Sequence, residues 1–382
     1  MSKAVIVSAK RTAIGKVGGV LKEMHPQELA AVVIRQILKE TRLEPTEIDE
    51  VILGNAIGPG GNIARLSGLE AGLPVSVPGM TVDRQCGSGL EAVIQAARLI
   101  QAGAGEVYIA GGVESTSLAP WKLEKPTSQV GFPTVLKRAR FSPDAIGDPD
   151  MGMAAENVAI QYGISREQQD YFALNSHRKA IKSLDEGRFV AEIVPLNGIT
   201  LDECPRRETS YEKLSQLQPV FKTMGTVTAG NACPINDGAA ILLIMSEKKA
   251  LKLGYTPILE FVDATSAGVN PNVLGIGPVP AVRKLLRRQS LSVSNLNLIE
   301  FNEAFAAQVL ACLKELEIDE EVVNIGGGAL AIGHPYGASG AILVTRLFSE
   351  MIKGNGKLGL ATMGIGGGIG LAALFKRYEW RK

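Results

Sequence analysis

The chain has 382 residues, with 40 Lys+Arg against 39 Asp+Glu and 46% hydrophobic residues. That length allows two or three domains and a large apolar core. The balanced charge, with no block of one sign, argues against a nucleic-acid partner, whose binding needs a basic surface.

The four cysteines, Cys86, Cys204, Cys233 and Cys312, lie far apart and form no CxxC pair. No disulfide framework and no metal site is expected from them, and reduced thiols suit a cytoplasmic protein. The first residues, MSKAVIVSAKRTAIG, carry an apolar run cut short by Lys10 and Arg11, so no secretory segment is expected there. The uncharged stretch Leu358–Phe375 is broken by clustered glycines and reads as strand, turn and strand, not as a membrane span.

Taken in chain order, Ala4–Ser8 reads as a strand, Pro26–Glu40 as a helix and Val51–Gly54 as a strand. Leu90, Val93, Ile94, Ala97 and Ile100 mark one helical face, and Val107–Ala110 follows as a strand. From about 117 to 227 the chain is richer in charge, Pro and Ser, and reads as an insertion over a core. It contains one clear helix, about Ser165–Glu186, opened by the capping box Ser165-x-x-Gln168. After Asn236 the alternation resumes: Val279–Arg288 helical, Leu298–Phe301 a strand, Glu303–Leu316 a helix, Val322–Ile325 a strand, a helix from about Ser339, and two closing strands. The two ends repeat weakly, which suggests a duplicated α/β unit with chemistry at the carboxyl ends of its strands.

Four places could carry chemistry. Cys86 in VDRQCGSGLEA ends a β-like run just before a helix, where the positive end of the helix dipole favours thiolate. His334 in NIGGGALAIGHPYGASGA is the one histidine of three set among glycines, and a thiol nucleophile needs an imidazole nearby. Asn302, in IEFNEAFAAQ, could donate to an oxyanion or serve as a plain helix cap. The run Gly364–Gly370 fits no dinucleotide loop, but its bare N–H groups could line an oxyanion hole. Each residue taken alone also has a structural reading.

Together the segments resemble the thiolase family across essentially the whole chain. The resemblance rests on DRQCGSGLEA, GGVESTS, MGMAAENVA, GTVTAGNA with NDGAA, FNEAFAAQ and GGGALAIGHPYGASGA, in the family's order and spacing. It implies an α/β fold with a duplicated five-layered α-β-α-β-α core and an inserted loop domain. The implied bounds are 1–115 with 236–257 for the first core domain, 116–235 for the CoA-holding loop domain, and 258–382 for the second core domain. It implies that Cys86 carries an acyl-thioester, that His334 activates it and contributes to an oxyanion hole, and that Asn302 anchors a water in that hole. The N–H groups of Cys86 and Gly366 would form the other hole. Met151, Arg206, Phe221, Ala232 and Cys233 match positions that contact CoA. No separate cofactor is implied, since CoA and acyl-CoA are substrates, and a homodimer or homotetramer is expected.

The chain departs from the pattern. The usual thiolase ending Cys-x-Gly-Gly-Gly reads Gly364-x-Gly-Gly-Gly here, so the family's acid–base cysteine is absent. Cys233-Pro234 stands where Ser-Gly is usual, and Asp150 replaces a common histidine before Met151. The implied activity is acyl-CoA C-acyltransfer. The alternatives are acyl transfer or decarboxylative condensation by a Cys-His-Asn set without thiolysis, and a non-catalytic CoA-binding subunit.

Overall fold

The structure is a computed structural model that describes residues 2–379. Its main strands are β1 (Ala4–Arg11), β2 (Glu50–Gly54), β3 (Gly79–Val82), β4 (Val107–Ser115), β5 (Asn236–Ser246), β6 (Leu259–Gly268), β7 (Leu298–Phe301), β8 (Leu358–Ile365) and β9 (Ile369–Arg377). They run in the order β7-β8-β9-β6-β1-β5-β4-β2-β3, with the short strand Gly15–Lys16 also paired to β5. The seam between the halves is short: β1 and β6 share the pairs Val5–Glu260 and Ile6–Leu259 alone.

The two halves repeat one plan. In the first, β2 is parallel to β4, β4 antiparallel to β5, and β5 antiparallel to β1. In the second, β7 is parallel to β8, β8 antiparallel to β9, and β9 antiparallel to β6. The helices keep the same places. α1 (Pro26–Thr41), α2 (Ile63–Glu70) and α3 (Ser88–Ala102) in the first half correspond to α6 (Pro278–Arg288), α7 (Ala306–Leu316) and α8 (Tyr336–Lys353) in the second. The insertion after β4 contributes α4 (Met151–Tyr162) and α5 (Arg166–Asp185). Ser165 caps α5 and forms the expected reciprocal box with Gln168.

Period-two strands with both faces apolar need cover on both sides. Val51, Leu53, Ile109 and Ile241 face α1 and α2, while Ile52, Ala110 and Leu242 face α3 and α8. In the second half, Met363 and Ala373 face α3 and α8, while Leu360 and Leu374 face α6 and α7. Five layers result, with α3 and α8 in the middle. Those two helices approach closely at Gly89, where an added Cβ would lie 2.6 Å from the Gly337 carbonyl oxygen.

The fold departs from the sequence reading in two places. Val322–Ile325 forms no strand: Glu320–Val322 is a 3₁₀ turn, and the expected pairing survives as one parallel bridge, Ile299–Val323. The helix expected from Glu303 begins at Ala306, because the chain turns at Ala304, whose N–H bonds the Asn302 carbonyl, and Phe305 is held extended by its bridge to Ala232. Asn302 is therefore not a helix cap. Among the described residues, no helix is long and apolar enough to cross a membrane.

Candidate active site

Cys86 sits on a tight turn between β3 and α3. Gln85 adopts a left-handed conformation (φ 49°), which costs a non-glycine residue energy and persists where neighbours enforce it. The enforcing bonds are Gln85 N–H to Asp83 Oδ1 (2.8 Å), Arg84 N–H to Ser88 Oγ (2.9 Å) and Gly87 N–H to the Arg84 carbonyl (3.0 Å). The thiol is thereby presented at the helix start and stays partly accessible, whereas Cys204 and Cys312 are buried. The backbone N–H groups of Cys86 itself and of Gly366 both reach its sulfur.

The thiolate expectation is corrected here. Burial pushes the Cys86 thiol up to about 11, outweighing the two N–H donors, and the Glu114 and Asp83 charges push the same way. Desolvation disfavours the charged form more than one helix end favours it. In the free protein Cys86 holds its proton and needs a base.

His334 is the residue expected in that role. It lies just before α8, the counterpart of α3, so the layered duplication brings the two helix starts together. Its N–H donates to Asn236 Oδ1 (2.8 Å), and its Nδ1 lies 2.6 Å from Ser339 Oγ. Its Nε2 is buried and has no protein partner. Burial pushes the imidazole down to about 4, so the ring is neutral at physiological pH. A neutral ring with a free nitrogen can accept a proton.

Asn302 follows β7, its N–H bonded to the Thr362 carbonyl (3.1 Å). Its Nδ2 is a buried donor that likewise has no protein partner. Such a group costs free energy unless a ligand or water meets it. Its neighbour Glu303 is structural: it accepts from Ser176 Oγ, Asn324 Nδ2 and the Leu330 N–H. Gly366 opens the β8–β9 turn, where Gly367 and Gly368 take φ of +85° and +83°, a conformation that side chains rarely adopt.

Two carboxamide or carboxylate groups behind the site were not singled out from sequence. Asn236 holds the His334 N–H and also donates to the Gly15 carbonyl and to Cys204 Sγ. Glu114 accepts from Asn55 Nδ2 (2.8 Å), Ala56 N–H (2.9 Å) and Gly337 N–H (3.0 Å), tying the start of α8 to the loop after β2. Burial raises Glu114 to about 7, against those N–H donors. Both lie in motifs visible in sequence, NDGAA and GGVES, but nothing in their spacing assigned them a partner.

The family descriptions "Thiolase, N-terminal domain" and "Thiolase, C-terminal domain" match residues 4–248 and 255–377. The chain belongs to the thiolase family. A Staphylococcus aureus protein named "Putative acetyl-CoA C-acetyltransferase VraB" is 50% identical over 384 residues, covering 99% of this chain and all of its own. Its Staphylococcus epidermidis namesake is 49% identical over 384 residues, covering 99% of both chains. The crystal structure of the Bacillus anthracis acetyl-CoA acetyltransferase superposes with a TM-score of 0.92 at 41% identity, covering 99% of each chain.

In this thiolase-family chain, four of the five residues expected at CoA form one run. Phe221 packs its ring on Gly152, beside Met151 at the start of α4, and stands edge-to-face on Phe305 at 6.2 Å. Ala232 bridges Phe305, and the Cys233 N–H donates to the Ala304 carbonyl (3.0 Å). That run leads to Asn302. Arg206 lies apart, its N–H bonded to His177 Nδ1, in a groove of about 370 Å³ with Arg178, Lys182 and Arg207.

Proposed function

We propose that this chain is an acyl-CoA C-acyltransferase of the acetyl-CoA C-acetyltransferase type, working through an acyl-thioester on Cys86. The observation that carries the reading is a protonated thiol at the start of α3, a neutral imidazole with an unpartnered Nε2 just before α8, which packs on α3, and an unpartnered amide donor after β7. In the first step His334 Nε2 takes the Cys86 proton and the thiolate attacks the acyl carbonyl. The tetrahedral oxyanion accepts from the N–H groups of Cys86 and Gly366. The leaving CoA thiolate recovers the proton from His334. The second thioester oxygen lies against His334 and a water held by Asn302 Nδ2, which stabilise its enolate.

CoA and acyl-CoA are then substrates, and no separate cofactor takes part. Residues 116–235 hold CoA, with Met151, Phe221, Ala232 and Cys233 along the pantetheine and Arg206 toward the nucleotide end. The bounds 1–115 with 236–257 and 258–382 divide the two core domains. We place the protein in the cytoplasm as at least a homodimer. Support for association comes from the open edge of β3 and from Trp121, Val130 and Phe132, exposed on one hairpin of the insertion.

A second reading is favoured by Gly364, which offers no side chain for proton transfer. Cys86, His334 and Asn302 alone suffice for acyl transfer or for condensation driven by decarboxylation. Intact-mass measurement after mixing with acetyl-CoA or acetoacetyl-CoA separates the cases. Acetylation from both donors, lost in Cys86→Ala, supports the C-acyltransferase. Acetylation from acetyl-CoA with an intact acetoacetyl adduct from the other donor favours the second reading. No adduct in either case overturns both for these donors and leaves a CoA-binding subunit.

A further inference from the structure

The following rests on the acyl-Cys86 reading. Making or breaking a C–C bond beside a thioester places a carbanion on the acetyl α-carbon. Some group must give that carbon a proton or take one from it. His334 already serves Cys86, and Gly364 has nothing to offer. Two of the remaining thiols are unsuitable. Cys204 is buried and accepts from Asn236 Nδ2, and Cys312 is fully buried with its thiol donating to the Gly275 carbonyl.

Cys233 is placed differently. Like Cys86, it is partly accessible. Its segment is pinned on one side by the Ala232–Phe305 bridge and the bond from Cys233 N–H to the Ala304 carbonyl, two residues past Asn302. On the other side Ile235 bridges His334. Cys233 is thus held between the loops that carry the two unpartnered buried groups, Asn302 Nδ2 and His334 Nε2. Cys233 and Cys86 lie within electrostatic reach of each other and of Tyr336. The Tyr336 ring stands edge-to-face on His334 at 5.2 Å, which closes the cluster.

We propose that Cys233 is a second catalytic thiol, carrying the proton to and from the acetyl α-carbon. In cleavage of a 3-oxoacyl-CoA, the Cys86 thiolate adds to C3, its proton now on His334. The C2–C3 bond breaks and its electron pair passes to C2. The Cys233 S–H proton moves to C2, releasing acetyl-CoA and leaving a Cys233 thiolate. His334 returns its proton to that thiolate and then takes the proton of incoming CoA, whose sulfur attacks the acyl-Cys86 carbonyl. Cys86 departs as thiolate and recovers its proton from His334. Condensation is the reverse. Burial pushes the Cys233 thiol well above its ordinary range, so it keeps its proton until the carbanion develops.

The test uses the full-length protein and three readouts: acetylation of Cys86 from acetyl-CoA by intact mass, CoA-dependent cleavage of acetoacetyl-CoA, and deuterium uptake into the acetyl-CoA methyl group in D2O. At saturating acetyl-CoA, Cys86 in Cys233→Ala and Cys233→Ser should still reach full acetylation whether or not its rate falls, which reports an intact site. Cleavage and methyl deuteration should fall about 10²–10⁴-fold, the usual worth of a positioned acid–base group. Adding Gly364→Cys to Cys233→Ala should recover part of both. An added Cβ there would lie 3.2 Å from Gln308 Nε2, the end of a flexible side chain that needs to move by a few tenths of an ångström. Cys312→Ala should change neither. Cleavage and deuteration kept within threefold in Cys233→Ala, or lost in Tyr336→Phe instead, overturn the proposal. So does a native protein that acetylates Cys86 but shows neither reaction. Absence of Cys86 acetylation in the native protein overturns the broader reading itself.

Discussion

His334 Nδ1 lies 2.6 Å from Ser339 Oγ, and this bond decides which ring nitrogen is free. Ser339 stands one turn into α8, so the helix itself holds the imidazole with Nε2 toward the pocket. With burial lowering the ring to about 4 and raising Cys86 to about 11, the pair rests as neutral imidazole and thiol between those values. The rate of Cys86 acetylation should therefore be level from about pH 5 to 10 and fall only as pH drops toward 4, where the ring is protonated and cannot act as base. Replacement of Ser339 by Ala should slow acetylation about tenfold, the kinetic equivalent of one hydrogen bond. Single-turnover rates measured across pH would show both. An acid limb centred near 6.5 would mean the ring is not desolvated in solution.

Glu114 joins the loop after β2 to the start of α8 and thereby sets where the His334 loop stands. Its removal leaves the Ala56, Ile57 and Gly337 N–H groups without an acceptor and the Asn55 amide with the Val113 carbonyl alone. Each such group costs about 1–3 kcal/mol. Glu114→Ala should lower the unfolding free energy by roughly 3 kcal/mol or more, measurable by urea titration. Glu114→Gln keeps one acceptor oxygen and should cost less. Equal losses for the two variants would show that the side chain acts through packing alone.

Much of this arrangement is open to a reader of the sequence because it is local. The apolar face Leu90–Ile100 forms a helix, and the Ser165–Gln168 box caps α5 because both halves of that signal lie within one turn. Leu298–Phe301 is a strand because a short, mostly apolar run bounded by polar residues pairs with β8 along its whole length. Long-range effects are where the reading fails. Val322–Ile325 has strand composition but meets β7 at one residue. The turn before α3 suggests a thiolate at Cys86, yet the whole surrounding core desolvates it. Asn236 and Glu114 are ordinary polar residues until the duplication folds them against α8.

The buried charges belong to the same class. Arg11 on β1 is fully buried and bonds Glu192 Oε1 (2.8 Å) and Asp202 (2.7 and 2.9 Å), both from the insertion. Arg346 on α8 bonds the other oxygen of Glu192 (2.5 Å) and also Glu350. One carboxylate thus ties insertion, first half and second half together. Removing Glu192 takes one of two carboxylates from each guanidinium, leaving Arg11 with Asp202 and Arg346 with Glu350, at a cost of about 3 kcal/mol, the low end for breaking a buried pair. Glu192→Ala should show that loss in chemical denaturation, and the insertion should become sensitive to limited proteolysis before the core does. A loss under 1 kcal/mol would mean water reaches the two guanidinium groups.

Glu300 gives stability a pH dependence of defined sign. It is buried on β7, and burial, with the charges of Glu350, Glu192 and Glu303 outweighed in part by Arg346, raises it to about 8 from an ordinary 4.5. Between those values the folded state keeps a proton that the unfolded chain has lost, so stability falls as pH rises, at roughly 1.4 kcal/mol per unit for one group. Glu114, raised to about 7, acts in the same sense. His334 and His177, both lowered to about 4 by burial, act oppositely, adding stability as pH rises from about 4 to 6.5. Below pH 6.5 the two pairs largely cancel. Above it the histidines are silent and the carboxylates remain, so unfolding free energy should decline from pH 6.5 to 8. Glu300→Gln should remove most of the decline between pH 7 and 8, where Glu114 has already ionised. Urea titrations at half-unit intervals would resolve it, and a variant whose slope matched the native protein's would place the Glu300 ionisation outside that window.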